Sequence, residues 1–215
     1  MARQAAVLDE GFGLLIYSDG SNLAADYLWM LPRSHDFVFD RTAHTICGVT
    51  AAAAVNEFLI SSAELPPSFE VRFEVTLPDG LNSGLQLRSA MLDSGLAKLH
   101  GPQVEIANDG FGAIYSEATR KGWLLPPSER TNVAAAHWDS VGWNRYRVVV
   151  EGTSWRVWVN GALVSELDHT FDAAFWAPLD GAVAVNRLGF QVHSPYSVDQ
   201  VGQRVCWRHV LLKAL

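Results

Sequence analysis

Three short segments alternate apolar side chains with long polar ones, and this period of two commits the chain to β-structure with unlike faces. In Gly84-Leu85-Gln86-Leu87-Arg88 the leucines point one way while Gln86 and Arg88 point the other. Gln103-Val104-Glu105-Ile106 and Phe190-Gln191-Val192-His193 divide in the same manner. Successive side chains of a strand face opposite sides of its sheet. Each segment therefore offers a greasy face to a core and a second face of amide, guanidinium, carboxylate or imidazole. A purely solvated face would carry more Lys, Thr and Ser. Placed in one sheet, the three segments build a polar floor suited to a polyhydroxylated ligand.

Further runs read as strands, from Glu57 to Ser61, Phe69 to Thr76, Gly112 to Ser116, Arg145 to Glu151, Ser154 to Asn160, Ala162 to Glu166 and Val205 to Lys213. Phe69-Glu70-Val71-Arg72-Phe73-Glu74-Val75 alternates cleanly, the mark of a sheet with one solvated face. Turn residues separate the runs, and Asn160-Gly161 is the sharpest hairpin signal because both central residues of a tight turn need positive φ. Residues 117 to 140 break the pattern and read as a long loop, a kind of segment that is often functional. Many short antiparallel strands, no repeat and no linker predict a single all-β domain over 1–215, a sandwich or jelly roll. Eight Trp and ten Phe within a 49% hydrophobic composition supply the bulk for its core.

Charge and cysteine content narrow the partners. Sixteen basic against 23 acidic residues leave a net charge of -7, which argues against nucleic acid but not against a small anionic substrate. No segment reaches membrane-spanning length. Without a signal-like leader the chain reads as cytoplasmic, or as exported if a leader has been trimmed. Cys47 and Cys206 read as two buried thiols, with a disulfide between them as the alternative. Seven histidines are scattered without zinc-like spacing; the sequence requires no metal or cofactor, and a divalent ion such as calcium held by loop carboxylates and carbonyls stays open although no dense acidic loop announces it. Oligomeric state is left open.

Beyond these patterns, a series of motifs in order carries a resemblance. It comprises Asn56-Glu57-Phe58-Leu59-Ile60-Ser61, Asn82-Ser83-Gly84-Leu85-Gln86-Leu87-Arg88 and Gly101-Pro102-Gln103-Val104-Glu105-Ile106. It continues with Gly112-Ala113-Ile114-Tyr115 and Gly122-Trp123-Leu124, then Trp143-Asn144-Arg145-Tyr146-Arg147-Val148 and Val157-Trp158-Val159-Asn160-Gly161. Gly189-Phe190-Gln191-Val192-His193 and Val205-Cys206-Trp207-Arg208-His209-Val210 complete it. Together they resemble the 3-keto-disaccharide hydrolase family over roughly residues 37 to 215, leaving 1–36 poorly matched. Two departures stand out. Ile16 to Leu23 only loosely echoes the family's opening stretch, and Gln103-Val104-Glu105 stands where many members carry Glu-Val-Gln. The resemblance implies a concanavalin-A-like jelly roll of two antiparallel sheets. It also implies action on glycosides already oxidised to a ketone at C3, so that a separate oxidoreductase would act upstream.

A C3 ketone acidifies the hydrogen on C2, and its removal lets the C1 oxygen leave by β-elimination, after which water can add to the enone. Such chemistry needs a base near C2, a donor for the enolate oxygen and an acid for the departing oxygen. Glu105 is the candidate base, with an exposed strand carboxylate or an ion pair with Arg88 as the alternative. Arg88 would steady the enolate or orient Glu105. His193 would protonate the leaving oxygen or simply bind ligand. Gln86, Gln103 and Gln191 would hold hydroxyls or pair with one another across strands. Tyr115 would donate to the keto oxygen, and Trp123 would stack on a sugar face. For each of these two, plain packing is the commoner reading. Trp158, opposite in facing to Val157 and Val159, would line the groove, whereas Trp155 would be core and Asn144 would cap a turn. A direct glycosidase needs two carboxylates bracketing the bond, and only Glu105 sits on the polar face. Two rivals remain at this level: a carbohydrate-binding module using the same floor, and a structural domain whose polar face packs on a partner chain.

Overall fold

The period-two segments become strands of two antiparallel sheets. The computed structural model describes residues 13–14, 29–30, 37–40, 45–52, 55–61, 64–91, 99–119, 121–170, 183–184 and 186–215. Sheet I has the order β14 (Ala162–Asp168), β13 (Ser154–Val159), β12 (Asn144–Glu151), β6 (Phe69–Thr76), β17 (Arg204–Ala214), β4 (Thr45–Val49) and β3 (Phe37–Asp40), with β1 (Gly13–Leu14) also on β17. Sheet II has the order β11 (Gly122–Leu125), β10 (Ile114–Glu117), β9 (Leu99–Ala107), β7 (Asn82–Gln86), β16 (Gly189–Val192), β5 (Glu57–Ser61) and β2 (Trp29–Met30). A short β8 (Ala90–Met91) pairs with β9, and β15 (Val183–Ala184) pairs with β8.

The apolar faces of the two sheets meet in one core. Phe73 of sheet I stacks on Tyr146 at 4.9 Å and meets Phe190 of sheet II edge-on at 5.5 Å. Phe190 in turn stacks on Trp207 at 4.9 Å. Leu85, Val104, Ile106 and Trp155 are fully buried beside them. This is the two-layer, all-β jelly roll of concanavalin-A type. Along β6 the burial alternates as its sequence does, with Arg72, Glu74 and Thr76 turned outward. Between β13 and β14, Asn160 and Gly161 take φ values of 50° and 91°, the left-handed pair that a two-residue hairpin demands.

Two expectations need correction. The stretch 117–140 is not an unbroken loop: Gly122–Leu125 adds an edge strand to β10, placing Trp123 opposite Tyr115, and two 3₁₀ turns follow at Pro127–Glu129 and Val133–Ala136. The prolines at 126 and 127 obscure that strand because they mark only where it stops, having no N–H to continue a ladder. Cys47 and Cys206 are not thiols but a disulfide, joining residues directly opposite each other on β4 and β17. Strand register brings them together across 159 residues of chain, and register between distant strands is not visible in composition.

Candidate active site

Glu105 lies two residues before the end of β9, opposite Gly84 of β7. Gly84 matters because a Cβ there would collide with the side chain of Gln103. In the space the glycine leaves, Gln103 Nε2 donates to Glu105 Oε1 at 2.7 Å. Asn82 Nδ2 donates to Oε2 at 3.3 Å. The backbone around the carboxylate is pinned as well. Its carbonyl accepts the Tyr146 hydroxyl from sheet I at 3.1 Å, and its N–H donates to Ala113 O at 2.9 Å. With only 5% of the residue exposed, burial pushes the Glu105 carboxyl from the usual 4.5 up to about 7. The two amide donors oppose that rise, and the negative charges of Glu117 and Asp109 add to it.

A pocket of about 650 Å³ opens over this carboxylate. Tyr115 and Trp123 form one wall, their rings edge-on at 5.0 Å, with Trp123 45% exposed. His193 and Tyr196 form another, their rings 4.6 Å apart. His193 Nδ1 lies 2.6 Å from Ser194 O, an acceptor only, which assigns the ring hydrogen to Nδ1. Its Nε2 is left facing the Tyr196 hydroxyl at 3.4 Å. Partial burial, with Glu105, Asp109 and Glu117 nearby, raises the Tyr196 phenol above its usual range, so it stays protonated near neutrality. Asn56 joins the walls: its Nδ2 donates to Glu117 Oε1 at 3.1 Å, and its Oδ1 accepts the Ser194 N–H at 3.0 Å. Among the described residues three carboxylates line the pocket, and no Lys or Arg does. Among the described residues no group of three His, Cys, Asp or Glu side chains converges to hold a metal.

The structure thus brings Glu105, Gln103, His193, Tyr115 and Trp123 to one pocket, but it separates other candidates from them. Gln86 and Gln191 are fully buried beneath the floor and do not line it. Gln86 Nε2 donates to Gln103 Oε1 at 3.4 Å, and Gln103 Nε2 also approaches Gln191 Oε1 at 3.4 Å. They orient Gln103 rather than a ligand. Arg88 leaves the site altogether. β7 ends at Gln86, Arg88 takes a φ of 48°, and the alternation that would have aligned it with Gln86 is broken. Its guanidinium donates to the carbonyls of Gly152, at 2.5 Å, and Pro67. Trp158 lies on sheet I, packed under the Arg147 guanidinium at 4.2 Å, because alternation assigns a face but not a sheet. Trp155 is core, and Asn144 holds the preceding turn through Asp139 O at 2.7 Å and Asp139 N at 2.9 Å, as expected.

Five lining residues with polar side chains escaped the sequence reading: Asn56, Asn82, Asp109, Glu117 and Tyr196. Asn82 was within reach, since it stands two residues before Gly84 and extends the same polar face. Tyr196 carried no signal beyond its nearness to His193.

With fold and site in place, the chain's relationships can be stated. Residues 17–213 match the family of 3-keto-alpha-glucoside-1,2-lyase-like domains, and the chain belongs to that family of carbohydrate-acting proteins. The match begins within the segment that the motifs left unassigned. No curated protein sequence matches the chain. Among solved structures, an inferred glycosyl hydrolase from Parabacteroides distasonis ATCC 8503 aligns with a TM-score of 0.62 at 15% identity, over 96% of this chain and 94% of its own. A second inferred glycosyl hydrolase from the same organism aligns with a TM-score of 0.53 at 15% identity, over 95% and 99% of the two chains. A structure described as a native glycosidic hydrolase aligns at 0.56 and 7% identity, over 97% of each. At these identities the likeness is one of fold.

Proposed function

We propose that the chain cleaves 3-keto-glycosides by proton abstraction at C2 and β-elimination at C1. The observation that carries this reading is the recessed Glu105, held by two amides at the base of an aromatic-walled pocket and poised to exchange a proton near neutrality. Glu105 takes the C2 hydrogen. The electrons of that bond form the C1–C2 double bond in conjugation with the ketone, and the C1–O bond breaks. For the departing oxygen, His193 supplies a proton from Nε2 while Nδ1–H stays on Ser194 O, and the Tyr196 hydroxyl orients that oxygen. Water then adds at C1 of the enone and the C2 proton returns, giving the free keto-sugar. Trp123 offers its exposed face to the apolar side of a ring. An oxidoreductase acting earlier in the sequence of reactions supplies the ketone. The Cys47–Cys206 disulfide supports work in an oxidising compartment over the cytoplasmic reading.

The test is turnover of a 3-keto-glucoside in deuterated water by the native chain and by Glu105→Gln. Cleavage with deuterium at C2, lost in the variant, is the expected result. Cleavage that survives in Glu105→Gln would remove the base assignment. A second reading, a carbohydrate-binding module, is favoured by the exposed Trp123 and Tyr196 at the rim. It would be left standing by saturable sugar binding without any cleavage.

A further inference from the structure

The outer face of sheet I carries a second pocket, about 630 Å³, remote from Glu105 because it opens on the other side of the sandwich. Its walls come from the outward residues of period-two strands, three of them arginines. Arg72 and Glu74 project from β6, Arg145 and Arg147 from β12, and Trp158 from β13, while His209 stands at the irregularity of β17.

The charges here do not balance. Glu70 accepts from Arg72 Nε at 2.5 Å and from Arg147 Nε at 2.7 Å and Nη2 at 3.0 Å. Glu74 accepts from Arg208 Nε at 2.6 Å and faces His209 Nδ1 at 3.4 Å. Arg145 stands opposite Glu74 in register, yet makes no ion pair among the described residues. Four arginines therefore surround two carboxylates, a surplus of two positive charges in a chain whose net charge is -7. Among the described residues the Arg145 guanidinium and Arg147 Nη1 have no hydrogen-bond partner. The Trp158 indole, opposite Arg147 in register, has the Arg147 guanidinium 4.2 Å and the Arg156 guanidinium 5.9 Å from its centroid.

The geometry points to a binding site for carboxylate-bearing sugars, uronate rings, on the outer face of sheet I. A guanidinium fork matches a carboxylate with two parallel hydrogen bonds. An indole beside it offers apolar ring surface to the C–H side of a sugar ring. The cavity is of the size that holds a small ligand of one or a few rings. The Glu105 pocket, lined among the described residues by three carboxylates and no Lys or Arg, disfavours the same sugars. The two faces thus divide their work: the outer face retains the protein on an acidic saccharide, and the Glu105 pocket receives a neutral one.

Calorimetric titration with a trimer of galacturonic acid, and with its neutral methyl ester, tests the site. The acid trimer binds saturably to the native chain and the ester does not. Arg145→Gln and Trp158→Phe each weaken binding by roughly tenfold, while Glu105→Gln binds as the native chain does. Arg145 is exposed and outside the core, so its variant folds whatever happens at Trp158. Equal binding of acid and ester, no binding of the acid trimer, or unchanged binding in Arg145→Gln overturns the assignment. Equal affinity for a short poly-glutamate overturns it too, by showing a charged patch with no preference for sugar. None of these outcomes depends on cleavage at Glu105.

Discussion

Replacing Glu105 by glutamine should remove a specific slope from the pH dependence of stability. The carboxyl titrates at about 7 in the folded chain against the usual 4.5 when unfolded. The folded state therefore holds its proton more tightly, and between these values the unfolded state carries fewer protons. Stability then falls as pH rises. The contribution is fully present below the unfolded value and is lost as pH climbs through the folded one. At about 1.4 kcal/mol per pH unit the gap amounts to about 3 kcal/mol, of which between about 2 and 3 kcal/mol lies between pH 5 and pH 8. Glutamine keeps the shape of the side chain. Its carbonyl accepts from Gln103, and a rotated Asn82 amide can accept from its NH₂, so the cradle survives without the charge. Urea unfolding of both proteins at the two pH values gives the measurement. Other titrating groups contribute equally to each, and the difference isolates Glu105. The native chain should lose stability relative to the variant by this amount at pH 8. Parallel pH dependences in the two proteins would refute a carboxyl held protonated by burial, and with it the reason for choosing Glu105 as a base near neutrality.

Three further outcomes follow from the placement of individual residues. Arg88→Ala should destabilise the fold by about 1–2 kcal/mol, since it strips the donors from two backbone carbonyls. It should leave the KM for a keto-glycoside unchanged, and a raised KM would return Arg88 to the site. Gly84→Ala should displace Gln103, cost about 1–3 kcal/mol in urea unfolding, and move the pH midpoint of cleavage, because the stronger donor to Glu105 is lost. Reducing the disulfide should lower stability by about 5 kcal/mol on the loop-entropy account for so long a loop, measurable as a drop in the urea midpoint with and without reductant.

Where sequence and structure agree, the physics is local. Alternation within Phe69–Val75 predicts burial residue by residue because a strand's facing depends only on its own backbone. Asn160-Gly161 predicts its turn because positive φ is a property of those two residues. The motif order carried Glu105, Gln103, His193, Tyr115 and Trp123 into one pocket. Where they part, the missing quantity is register or sheet membership. Trp158 has the facing expected of it, on the wrong sheet. Arg88 follows Gln86 by two, but the strand ends between them. Gln86 and Gln191 have the predicted facing, yet sit too deep to meet a ligand. The Cys47–Cys206 pairing and the placing of Asp109 and Glu117 beside Glu105 arise from strand-to-strand alignment, which no single segment encodes.

The strand order also sets a timetable. β16 lies between β7 and β5, and β17 lies between β6 and β4. As the chain is synthesised, β6, β12, β13 and β14 can assemble as one block and β7, β9, β10 and β11 as another. Each block then waits with a bare edge, at β6 and at β7. Residues 189 to 214 are the wedges that fill both gaps, so the pocket's His193 wall and the outer disulfide are completed last. Until that moment the nascent domain presents two unpaired strand edges, the kind of surface that recruits neighbouring chains.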